Sequence, residues 1–71
     1  MNKYFTVTLM YGMDSSDVLN NVEKIETTDI GKIIIRHWIF AGNIGWYRTM
    51  ELIDPKSVNI MIDFNLHELE G

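Results

Sequence analysis

The side chains best suited to chemistry crowd into one stretch, GKIIIRHWIFAGNIGWYRTMELI, from Gly31 to Ile53. It holds both tryptophans, both arginines and His37. An imidazole beside a guanidinium, flanked by indoles, suggests three chemistries. A histidine oriented by a carboxylate is a general base. A histidine among acidic groups is a metal ligand. Aromatic rings interleaved with cations stack nucleic-acid bases or anchor a protein partner. The choice depends on the face to which the backbone sends each side chain.

The stretch reads as a β-hairpin. Gly42-Asn43 is a favourable pair for a two-residue turn. With those two as the turn, Ile33 faces Leu52, Ile35 faces Met50, His37 faces Arg48 and Ile39 faces Trp46, all on one largely apolar face. On the other face Arg36 meets Thr49 and Trp38 meets Tyr47, with Lys32 and Phe40 at the ends. Arg36 and His37 therefore point in opposite directions, because strand side chains alternate. The outward set Lys32, Arg36, Trp38, Phe40, Tyr47 and Thr49 is the expected partner-binding surface. His37 is left opposite Arg48, with Glu51 on the other face. Its acceptor would be Asp63, a backbone carbonyl or a partner's carboxylate.

The rest of the chain must carry this hairpin. KYFTVTLMY alternates as a strand, with Phe5, Val7, Leu9 and Tyr11 on one face and Tyr4, Thr6, Thr8 and Met10 on the other. DPKS turns the chain. SVNIMIDFNL alternates again, with Val58, Ile60, Ile62 and Phe64 on one side. Tyr4, Met10 and Met61 would form an exposed apolar strip. NLHELEG is expected to make a helical turn capped by Asn65, with Leu66 and Leu69 reaching the core. The segment Ser15 to Glu26 has two readings. As a helix it would place Val18, Leu19, Val22 and Ile25 on one stripe. Asn20, Asn21 and its β-branched residues favour a strand. The fold class is thus mainly β, a five-stranded antiparallel barrel or curled sheet. The alternative is α+β, with a helix at about 15–26 on a four-stranded sheet. Residues 1–71 make one small domain.

Other chemistry finds little support. Ser15 and Ser16 lie in a loop with no base nearby in sequence, and there is no glycine-rich phosphate loop. Asp63, His67, Glu68 and Glu70 could suggest a metal, but carboxylates near a chain end are usually only solvated. The chain has no cysteine, which excludes disulfides and thiolate metal sites. No catalytic residue, metal ligand or cofactor is assigned, and an enzyme is not expected. The net charge of −4 disfavours nucleic acid as the partner. No apolar run is long enough to span a membrane as a helix. The first residues do not read as a secretory leader, so the expected location is cytoplasmic. Residues with A/T-rich codons far outnumber those with G/C-rich ones, which points to a low-GC source.

These readings imply a non-catalytic binding protein, an accessory or inhibitor acting by protein–protein interaction. In style the layout is similar to short β-rich proteins of phages and mobile elements, although no diagnostic motif carries that likeness. A homodimer would help to bury the aromatic face. The alternatives are a nucleic-acid or nucleotide binder using that face, and a structural component of a larger assembly.

Overall fold

The structure is a computed structural model that describes residues 2–70. Five strands form one antiparallel sheet: β1 (Tyr4–Met10), β2 (Ser16–Thr27), β3 (Ile33–Ala41), β4 (Gly45–Ile53) and β5 (Asn59–His67). The strand order is β4-β3-β2-β1-β5. No helix occurs among the described residues, so the α+β alternative does not hold. Within the segment, Ser16 to Glu26 is strand because its apolar residues are mostly β-branched and its asparagines are poor helix formers. The curled sheet does not close, since β4 and β5 do not pair.

β2 is the pivot. Its first half pairs with β1, from Met10↔Ser16 to Phe5↔Val22. Its second half pairs with β3, from Val22↔His37 to Thr27↔Ile33. Val22 belongs to both ladders, and the register slips on either side of it. An extra residue enters β2 between Leu19 and Val22, and another, Glu23, between Val22 and Lys24. Bulges bend and twist a strand. Here two of them turn one strand through a corner, so that the sheet folds onto its own apolar face. Val7, Leu9, Val22, Ile35 and Ile53 fill that fold, with Phe5, Leu19, Ile25, Ile33, Val58 and Ile60 around them.

The turns set the registers. Between β2 and β3, Gly31 donates its N–H to the Thr28 carbonyl at 3.0 Å and adopts a left-handed φ of 81°. Between β3 and β4, Ile44 donates to Ala41 at 3.0 Å and Gly45 has a φ of 80°. The expected two-residue turn would need a left-handed backbone at Gly42 or Asn43, and neither has one. The left-handed residue is Gly45, so the connection holds three residues, Gly42 to Ile44. Every expected cross-strand pair of this hairpin moves by one residue. Arg36 faces Met50, His37 faces Thr49, Trp38 faces Arg48 and Ile39 faces Tyr47.

Asp54 organises the β4–β5 connector. It accepts the Lys56 N–H at 3.0 Å and pairs with Lys32 Nζ at 3.0 Å. The Lys56 amide first, and Lys32 second, hold its carboxyl below the ordinary aspartate value.

Two expectations at the chain ends fail. Asn65 to His67 continue β5 instead of forming a helical turn, and Leu66 is 61% exposed; Gly71 lies outside the described residues. Tyr4 is buried, so it does not join Met10 and Met61 in an exposed strip. The β1–β5 register slips between Tyr4 and Thr6, and Thr6 Oγ1 lies 3.5 Å from His67 Nε2. β5 therefore departs from regular pairing where Tyr4 begins β1.

Ile35 is fully buried. Ile35→Ala should lower stability by about 2–5 kcal/mol through the cavity it opens. Gly45→Ala should cost about 1–2 kcal/mol, because an L-residue is strained in a left-handed backbone. Urea unfolding checks both. A silent Ile35→Ala would place the core elsewhere.

Candidate functional site

The structure divides the expected binding set. Arg36, Trp38 and Phe40 share the outer face of β3. Tyr47 and Thr49 lie opposite Ile39 and His37, hence on the inner face, contrary to expectation. Lys32 precedes β3 and is engaged with Asp54. The one-residue shift brings Trp46, Arg48 and Met50 to the outer face in place of Tyr47 and Thr49. Gly45 was the available signal, a glycine two residues after Asn43 that competes with Gly42 for the left-handed position.

β2 supplies the second half of the site. Its bulge residue Glu23 accepts a hydrogen bond from Trp38 Nε1 at 2.9 Å, and its Oε1 lies 3.2 Å from Arg48 Nε. The Arg48 guanidinium sits over the Trp38 ring, 5.1 Å from its centroid. One indole is thus held at its edge by a carboxylate and covered on its face by a cation. Beside it, Arg36 Nε donates to Glu26 Oε1 at 3.0 Å, and Lys24 Nζ stands 3.4 Å from the same oxygen. The hydrogen bond from Arg36, then that from Lys24, holds the Glu26 carboxyl below its ordinary value. Toward the hairpin tip, Phe40 and Trp46 meet edge to face, with centroids 5.3 Å apart. Phe40 and Met50 remain more than half exposed, at 53% and 55%. The face is an aromatic and thioether surface whose two arginines are both already paired.

His37 has a different setting from the one expected. It is buried at 3% exposure, and its Nε2 lies 3.1 Å from Glu51 Oε2. The expected Arg48 partner is on the opposite face, and the acceptor is Glu51 in place of Asp63 or a backbone carbonyl. The same register shift explains this, because Glu51 faces Ile35 and so comes to the inner face one step from His37. His37 stands beside Val22, its pairing partner on β2, while the Glu51 side chain remains 43% exposed. At the chain end, His67 Nδ1 lies 3.6 Å from Glu70 Oε1, and Asp63 accepts the Asn65 N–H. Among the described residues no group of three or more acidic or histidine side chains is placed to hold a metal ion.

A groove of about 260 Å3 opens where β2 turns away from β3. Leu19 and Asn21 form one bank, and Trp38, Phe40 and Trp46 the other. The chain matches no family model, and no curated protein or solved structure shows significant similarity to it.

Glu51→Leu leaves buried His37 without its partner and should cost about 1–3 kcal/mol in urea unfolding. Glu26 behaves differently. Its carboxyl is depressed in the folded chain, so its contribution is present above the ordinary value of 4.5 and fades as pH falls through the folded value. Glu26→Gln should flatten the stability loss below that pH, by a small amount because the pair is solvated. Thermal melts between neutral and acid pH check this, and an unchanged acid limb would contradict it.

Proposed function

We propose that this chain is a non-catalytic binding protein, and that the outer face of β2, β3 and β4 is the surface by which it holds a protein partner. One observation carries the reading. Both arginines on that face are paired with glutamates of β2, while Phe40 and Met50 stay more than half exposed. Trp, Tyr, Phe, Met and Arg are the residues enriched at protein interfaces. Nucleic-acid binding depends instead on cations free to neutralise phosphates. On this face Lys24, Arg36 and Arg48 are each paired with Glu23 or Glu26, which weakens that attraction, and the net charge of −4 adds to the cost. The non-catalytic reading is supported by the enclosure of His37, 3% exposed, whose Nε2 is engaged by Glu51.

A role as an inhibitor or accessory protein, and a phage or mobile-element source, belong to the same proposal and rest on size and composition. Self-association has its own motive. β5 is an unpaired edge on which Met61, Ile62, Phe64 and Leu66 are all exposed, with no lysine or proline to protect it. A dimer formed through β5 would cover that edge.

Two measurements test the reading. Trp38 and Trp46 fluorescence should stay flat during titration with short single-stranded DNA or RNA; a steep, salt-sensitive quench would favour the nucleic-acid alternative. In affinity capture from a low-GC bacterial lysate, a partner held by the wild type should be lost from Phe40→Asp, whose melting temperature should be little changed. Capture that is indifferent to Phe40→Asp would remove the outer face from the account.

A further inference from the structure

The corner in β2 has a second consequence. The β2–β3 ladder runs from Thr27↔Ile33 to Val22↔His37 and stops there. Beyond it, Ser16 to Leu19 pair only with β1, Asn20 and Asn21 form the bulge, and Trp38 to Ala41 pair only with β4. Two strands that are neighbours at one end diverge at the other. Each turns an unpaired backbone edge toward the gap, and the groove lies between them.

The groove already holds a piece of extended chain. Asn21, only 4% exposed, donates from Nδ2 to the Glu70 carbonyl at 2.8 Å and accepts the Glu70 N–H on Oδ1 at 2.9 Å. A carboxamide that engages the N–H and C=O of one residue reproduces half of a strand ladder. It reads main chain and is indifferent to the side chain it holds. The C-terminal tail, leaving β5 at His67, crosses β1 to reach it. It engages Asn21 at this end, and on the other bank Phe40 stays 53% exposed.

We infer that the groove between the diverging edges of β2 and β3 is a receptor for an extended, uncharged, apolar peptide segment of a partner protein, with Asn21 as its main-chain clamp and the chain's own C-terminal tail as a resident competitor. The inference rests on the protein-binding reading above and names the kind of segment bound. Strand addition suits the site, because unpaired edges supply ladder hydrogen bonds and the aromatic bank supplies a pocket for alternate side chains. The charge of the lining favours an uncharged segment. Apart from the tail's own Glu70, the lining carries no acidic side chain and no lysine or arginine.

The test is a two-dimensional NMR titration of the full chain with acetyl-Val-Thr-Val-Thr-Val-amide. Three controls accompany it: the same peptide with alternate amides N-methylated, hexathymidylate and hexauridylate. The expected result is shifts confined to the amides of residues 18–21 and 38–41, with Glu70 moving toward its free-chain position as the tail is displaced. The N-methylated peptide should bind much more weakly. Two variants should move affinity in opposite directions. Asn21→Leu, which removes the clamp, should weaken binding roughly tenfold. Glu70→Pro, which removes the tail's N–H, should strengthen it severalfold. Asn21→Leu tests the fold as well as the site, and Glu70→Pro leaves the core untouched. The inference is overturned if the peptide shifts nothing or shifts only β5. Equal binding of the N-methylated peptide, preference for either oligonucleotide, or no gain in Glu70→Pro would also overturn it. Failure here with the Phe40→Asp capture result intact would leave the protein-binding reading standing and remove only the groove.

Discussion

The bend at Val22 is the constraint on which the rest of the structure depends. A sheet with a single apolar face must cover that face, and this chain has no helix among its described residues to do so. It also has no cysteine, and so no disulfide, to compensate for a small core. The cover comes from the sheet itself, folded over at one strand. Bulges at Asn20-Asn21 and at Glu23 let Val22 stay in both ladders while the chain on either side runs in different directions. Val22 is fully buried because it stands at the crease.

The same bend creates the polar features around the site. A bulge leaves one residue without a place in the ladder. Here that residue is Glu23, and its carboxylate is free to reach the Trp38 indole and Arg48 on the outer face. The other bulge leaves Asn21, whose amide finds the main chain of Glu70. Neither group is left unsatisfied, and no buried side-chain polar atom among the described residues lacks a partner. The corner thus converts two breaks in backbone pairing into two specific side-chain contacts, one on the aromatic face and one in the groove.

Much of this was legible in the residues. The alternation in KYFTVTLMY and SVNIMIDFNL marked the first and last strands, and Gly42-Asn43 located the hairpin. The separation of Arg36 from His37 followed from strand geometry and holds. What could not be read was phase. A hairpin shifted by one residue exchanges the faces of a whole strand. The choice between Gly42 and Gly45 as the left-handed residue decided whether Tyr47 or Trp46 joined Trp38. It decided also whether His37 met Arg48 or Glu51. The bulges in β2 were hidden for a related reason. They break the period of two that marks a strand, and that is why Asn20-Asn21-Val22-Glu23 read almost equally well as helix. Tyr4 is buried where the β1–β5 register slips, an irregularity that leaves no local pattern in the sequence.

The central claim is that β2 turns a corner at Val22 and that the β3–β4 hairpin pairs through a three-residue connection. Cross-strand nuclear Overhauser contacts in the labelled chain test it most directly. β2–β3 contacts should run from Thr27–Ile33 through Val22–His37 and no further, with Arg36 opposite Met50. A ladder that continues from Leu19 or Asn20 into Trp38 and Ile39, or Arg36 found opposite Thr49, would contradict it.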